Sequence, residues 1–162
     1  MSTVTFEGDA PVEIERKFLV RGQPWVHWGA GTPYRQGYLS RGLHSTTRVR
    51  IAGERGVLTL KGKTVGISRL EFEYEIPLAH AQSLMSLCEG GIISKRRWAI
   101  EHAGHTWEVD VFEGLNQGLV VAEIELSAED EPFERPDWLD REVSDDPRYT
   151  NGALSRTPWS SW

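Results

Sequence analysis

A single cysteine among 162 residues, Cys88, leaves the chain no intramolecular disulfide and fits a reducing compartment. In its helical-looking stretch it reads as a small hydrophobe packed inward. Basic residues are also too few for a nucleic-acid backbone binder. Lys and Arg number 18 against 24 Asp and Glu, a net charge of −6, whereas phosphodiester contacts need a basic surface. That balance still leaves room for a local basic pocket. No apolar run approaches the roughly 20 residues that span a bilayer. The opening MSTVTFEGDAP has neither the basic nor the apolar segment of a secretion signal. The expectation is a cytoplasmic protein with no nucleic-acid or membrane partner, monomeric or homodimeric.

Motifs of common chemistries are missing as well. The five histidines (His27, His44, His80, His102, His105) form no H-E-x-x-H pattern and fall mostly in turns, which favours surface or capping roles. There is no G-x-S-x-G, and LKGKT lacks the upstream glycine of a phosphate-binding P-loop. Trp25, Trp28, Trp98, Trp107 and Trp138 read as core or flanking residues.

What the chain does have is period-two alternation. Candidate strands cover 12–20, 34–39, 46–52, 56–62, 69–76, 92–101, 105–112 and 119–126, with turns at AGERG, HAGH and EGLNQG. Many strands joined by short turns predict an antiparallel sheet or closed barrel. A helix is predicted over 78–89, after Pro77 and ended by Gly90-Gly91, with Leu78, Ala81, Leu84, Met85 and Cys88 on the sheet-facing side. Residues 21–33 read as a loop or irregular helix, and those after Pro132 as short helices and turns.

One face of nearly every strand is charged. In EIERKFLV, Glu13, Glu15 and Lys17 share a face, opposed by Ile14, Arg16, Phe18 and Val20. Arg48 and Arg50 oppose Val49 and Ile51, and Lys61 opposes Leu58 and Leu60. Arg69, Glu71, Glu73 and Glu75 alternate with Leu70, Phe72, Tyr74 and Ile76. Lys95 and Arg97, Glu108 and Asp110, and Glu123 and Glu125 follow the same rule. An antiparallel sheet with one wet face produces such alternation, and exposed cross-strand ion pairs need no function. Yet the signs segregate into basic and acidic strands. If these faces turn inward, a basic wall opposes an acidic one, and unpaired buried charge is very costly. A polyanion with divalent cations satisfies both walls: Arg and Lys clamp phosphate oxygens, and carboxylates bind Mg2+ or Mn2+.

The Glu13-x-Glu15-x-Lys17 pattern resembles the ExExK signature of the CYTH superfamily, the triphosphate tunnel metalloenzymes. QGYL (36–39), RVRI (48–51), LTLKGK (58–63), SRLEFEYEI (68–76), SKRRW (94–98), WEVDVFEGLNQGLVVAEIEL (107–126) and EVSDDPRYTNGALS (142–155) resemble its short bacterial members in the same order. The resemblance implies a mainly β (α+β) fold, an eight-stranded antiparallel closed barrel with a few flanking helices. It divides the chain into a flexible arm (1–11), one tunnel domain (12–156) and a tail (157–162) whose Trp159 and Trp162 have no family counterpart. It further implies hydrolysis of inorganic tripolyphosphate with Mg2+ or Mn2+. By position, Glu13, Glu15, Glu71, Glu73, Asp110, Glu123 and Glu125 match the metal-binding carboxylates. Lys17, Arg48, Arg50, Lys61, Arg69, Lys95 and Arg97 match the substrate-binding cradle. Lys17 and Lys95 are the catalytic candidates, Lys95 as a general base if neighbouring cations depress its pKa. A CYTH-type adenylate cyclase, a nucleoside or thiamine triphosphatase and a non-catalytic polyphosphate-binding barrel are the alternatives. A lipocalin-like carrier predicts apolar inward slots instead.

Overall fold

The computed structural model describes residues 9–162, so the expected arm over 1–11 lies outside the described residues except at its end. Strands β1 (Val12–Val20), β2 (Thr32–Arg41), β3 (Ser45–Ala52), β4 (Arg55–Gly62), β5 (Ser68–Ile76), β6 (Glu89–His102), β7 (His105–Phe112) and β8 (Val120–Glu125) coincide with the eight alternating segments. All pair antiparallel in the order β5-β4-β3-β2-β6-β7-β8-β1, and β1 then meets β5. The sheet therefore closes into an eight-stranded barrel. Short turns serve the local hairpins, as at Ala103-Gly104, where both residues take positive φ in the sense that matches strand twist.

The closing seam is short, Val12–Ile14 against Ser68–Leu70. Beyond it, β1 takes up a ninth strand, β9 (Leu139–Glu142), through Phe18 and Val20. This strand replaces part of the expected run of helices and turns. Four residues carry too little alternation to announce a strand, and the unpaired edge of β1 supplies the backbone partners.

The apolar core lies outside the barrel. Phe18, Trp107, Val109, Ala122 and Ile124 point outward and are covered by Leu126, Leu139 and the half-buried Phe133 and Trp138. Phe18, Trp107, Phe133 and Trp138 meet edge to face, with centroids 5.6–6.0 Å apart. A second cluster joins Ile93, Phe112, Leu119 and Val121 to Val143, Tyr149 and Leu154.

Helix α1 (Leu78–Met85) lies across the outer surface of β4, β3 and β2. Ala81 is fully buried there, and a Cβ at Gly37 would fall 2.6 Å from Cys88 Sγ, so the missing side chain makes the close approach possible. The helix is shorter than the 78–89 expected. Gly90 and Gly91 do not stop it; they open β6, where Gly91 N–H donates to Ser155 O at 2.8 Å and a Cβ would crowd that oxygen at 3.0 Å. The glycine pair serves a tertiary contact, which sequence punctuation cannot separate from a cap.

Helix α2 (Asn151–Leu154), capped by Thr150, packs at one end of the barrel. The tail docks back on it: Trp159 N–H donates to Asn116 Oδ1 at 2.8 Å, and Trp162 packs on Tyr149 at 5.0 Å. No helix among the described residues is long and apolar enough to cross a membrane.

Candidate active site: a charged tunnel

Closure settles which strand face is enclosed. The charged slots of the eight strands turn inward around a cavity of about 1280 Å³. Around the ring, β4, β3, β2 and β6 form a contiguous basic arc, with Lys61, Arg48, Arg50, Lys95 and Arg97. The other four strands, β7, β8, β1 and β5, form an acidic arc with Glu108, Asp110, Glu123, Glu125, Glu13, Glu15, Glu71 and Glu73. Lys17 and Arg69 are the cations within it.

Register makes ion pairs where the arcs meet. Lys61 stands opposite Glu71 and Arg97 opposite Asp110. Lys61 Nζ lies 3.0 Å from Glu13 and 3.5 Å from Glu71. Arg69 Nε donates to Glu13 at 2.9 Å. Arg48 reaches Glu73 at 3.4 Å, Glu71 at 3.8 Å and Thr59 Oγ1 at 3.2 Å. Arg97 grips Asp110 with two bonds of 2.6 and 2.7 Å and also contacts Glu108 and Glu123.

Within the acidic arc, register sets like charges face to face: Glu15 opposite Glu125, and Glu108 opposite Glu123. Such pairs are destabilising unless a cation intervenes. Lys17 supplies one, with Nζ 2.7 Å from both Glu15 and Glu123. Burial disfavours its ammonium, but Glu123 and Glu15 outweigh that and raise its pKa above the ordinary lysine value. In return Glu123, despite its burial, is held well below the usual carboxylate range by Lys17 and Arg97. Burial pushes Glu108 up against the pull of Arg97.

Of the fourteen expected positions, two lack a carboxylate or ammonium partner, each away from the borders of its arc. Glu125 lines the cavity, and its pKa is raised by burial and by repulsion from Glu13, Glu71, Glu108 and Glu15. Arg50 also lines the cavity and makes no carboxylate contact; its one side-chain hydrogen bond goes to Gln36. Burial, then Arg48 and Arg97, lower its pKa to about 10. One wall is thus short of negative charge and the other short of positive charge, inside one cavity.

Among the fourteen expected positions, Lys95 and Asp110 stand apart. Both side chains are fully buried behind the cavity surface, joined at 2.6 Å, with Asn151 Oδ1 accepting from Lys95 at 3.1 Å. Burial lowers Lys95 to about 7, aided by Arg97 and Arg50. Burial alone would raise Asp110, but Arg97 and Lys95 hold it low. Glu73 is half exposed at the rim. It and the other eleven line the cavity.

Several participants escape sequence reading. Tyr34 lies beneath Arg50 and Arg97, their guanidinium carbons 5.1 and 5.0 Å from its ring centre. Gln36 holds Arg50, and Asn151 holds Lys95. A search for charge passes over β2, whose one mid-strand charge, Arg35, is exposed; alternation of Tyr34, Gln36 and Tyr38 was the available signal. His105, which lines the cavity at the start of β7, lies against the Glu131 carboxylate at 2.8 Å.

The donor set suits a hard cation, since every cavity carboxylate offers oxygen and Glu125 is repelled by four neighbours. Among the described residues, no three acidic, histidine or cysteine side chains are gathered as a ready cation site; most of these oxygens are held by Lys and Arg.

The CYTH domain model matches residues 12–151. An inorganic triphosphatase of Acetivibrio thermocellus is 47% identical over 151 residues, covering 93% of this chain and 97% of the relative. An inorganic triphosphatase of Nitrosomonas europaea is 38% identical over 147 residues, covering 88% and 96%. The crystal structure of the inorganic triphosphatase NE1496 superposes with a TM-score of 0.64 at 35% identity, over 88% of this chain and 93% of that one. By match, identity and closed barrel together, the chain belongs to the CYTH domain family.

Proposed function

We propose that this chain is an inorganic triphosphatase that hydrolyses tripolyphosphate to diphosphate and phosphate, assisted by Mg2+ or Mn2+. The carrying observation is the pair of unmatched charges, Arg50 and Glu125, in one enclosed cavity. A polyanion satisfies the first and a cation the second. The two inorganic triphosphatases at 47% and 38% identity support the same reading. Residues 12–156 form the working unit in this proposal.

In the proposed mechanism, tripolyphosphate enters as a highly charged anion and displaces carboxylates from the basic arc. Arg48, Arg50, Lys61, Arg69 and Arg97 then hold its oxygens and absorb charge as the phosphoanhydride P–O bond breaks. The released carboxylates, Glu13, Glu15 and Glu71 with Glu123 and Glu125, are the proposed cation ligands; Glu73 contributes from the rim. When bound, a divalent cation supplies charge neutralisation at phosphate oxygens and acidifies water for in-line attack. Lys17, set between Glu15 and Glu123, acts as positive charge at the reacting phosphoryl group. Lys95 and Asp110, screened from the cavity, act through Arg97 by fixing its guanidinium.

The test is phosphate release from tripolyphosphate with Mg2+, with Mn2+ and with EDTA, for wild type, Glu13→Gln and Lys17→Ala. Release that needs metal and is lost in both variants is expected. ATP runs alongside, with phosphate and cyclic AMP measured. Cyclic AMP from ATP with no release from tripolyphosphate would overturn the substrate.

A further inference from the structure

Among Lys61, Arg48, Arg50, Lys95 and Arg97, Arg50 is the one cation whose side-chain partner is neutral. Its Nε donates to Gln36 Oε1 at 2.9 Å, and the two residues stand opposite each other on β3 and β2. Gln36 is fully buried and does not itself line the cavity, whereas Arg50 does. The Nε2 of Gln36 is buried without a hydrogen-bond partner among the described residues. An unsatisfied buried donor is costly, so an apolar residue of equal length would serve the fold better. The carboxamide is explained by its oxygen. Tyr34, two residues earlier, supports the guanidinium from one face. Held at Nε and over a ring, Arg50 keeps its two terminal nitrogens for an anion, the fork that takes two phosphate oxygens.

Resting on the triphosphatase reading, we propose that Gln36 is a positioning residue that keeps Arg50 unpaired and aimed at a phosphoryl group of the substrate. Neutrality is the essential property. A carboxylate at position 36 would form with Arg50 the pair that Asp110 forms with Arg97, and would remove the unmatched positive charge. The position also explains why Arg50 stays fully available where Arg48 and Lys61 first have to release carboxylates.

The test measures tripolyphosphate binding by calorimetry without metal, and KM and kcat with Mg2+. The proteins are wild type, Gln36→Glu and Gln36→Met, each with and without Arg50→Met. Gln36→Glu should weaken binding and raise KM about tenfold or more, with kcat within about threefold. Gln36→Met should give a smaller rise in KM. In the Arg50→Met background neither change should move Kd further, an outcome a purely structural role would not produce. Equal Kd in wild type and Gln36→Glu, or an equal loss with Arg50 absent, would overturn the proposal. Should Gln36→Glu fail to fold, the Gln36→Met and Arg50→Met cycle separates the same two outcomes. A wild type that binds tripolyphosphate without cleaving it ends the triphosphatase reading and leaves the Gln36 comparison readable through Kd. One that neither binds nor cleaves ends both.

Discussion

Phe18 and Lys17 are neighbours on β1, both buried, and they are buried by opposite means. Phe18 faces outward into Trp107 and Phe133, where apolar contact stabilises the fold without demanding a particular partner. Lys17 faces inward and is buried only because Glu15 and Glu123 close on its ammonium. Removing such charges from water offsets most of what their attraction returns. The outer layer therefore holds the barrel closed, while the inner layer keeps a charge pattern at the expense of stability. An ordinary small barrel fills its interior with apolar side chains; this one has moved its core to the outside.

Breaking either layer alone should show the division. Phe18→Ala is expected to destabilise by ~3–5 kcal/mol in urea unfolding, with tripolyphosphate KM unchanged where the variant remains folded. A shift in KM would couple the layers. Next, Asp110→Asn leaves Lys95 and Arg97 short of a countercharge and should lose on the order of 3 kcal/mol, together with substrate affinity. Stability unchanged in that variant would show that Glu108 and Glu123 already compensate Arg97 and that Lys95 is buried uncharged. Glu125→Gln belongs to the inner layer and has no partner to lose. Its unfolding midpoint should hold or rise slightly as repulsion is relieved, while the Mg2+ concentration for half-maximal phosphate release rises about tenfold.

The pH dependence separates the layers more finely. Glu123 has its folded pKa depressed below the ordinary 4.5, so between those values the unfolded chain binds the extra proton. Its contribution is complete above about 4.5 and is lost as pH falls, so urea midpoints of wild type should drop through the acid range. In Glu123→Gln this acid limb should be shallower. Last and smallest, Trp162→Ala removes an exposed-edge aromatic contact on Tyr149 and should lose ~0.5–1.5 kcal/mol.

Much of this is legible in the chain itself. Strict alternation locates all eight barrel strands, and it places Glu13, Arg48, Lys61 and Glu123 on one set of faces, because side-chain direction in a strand follows from local geometry. Segregation of sign into basic and acidic strands is equally plain. Motif resemblance extends that to a closed tunnel. What stays hidden involves contacts between distant segments. The four residues of β9 become a strand only because β1 has an edge to offer. The Gly90-Gly91 pair has the local character of a helix stop, and only the approach of Ser155 gives it another use.

Sequence by itself determined the eight barrel strands, the two alternating faces and the charge each face carries, since these depend on neighbours one or two residues away. Only tertiary structure decided that the charged face is the enclosed one. It also decided that Lys95 and Asp110 are sealed behind the cavity, and that Gln36, rather than a carboxylate, meets Arg50. All three follow from closure, in which three residue pairs between β1 and β5 bring the ends of a long sheet together. Which charges then pair and which stand alone is set by register around the ring, a relation between strands that no single stretch of the chain contains.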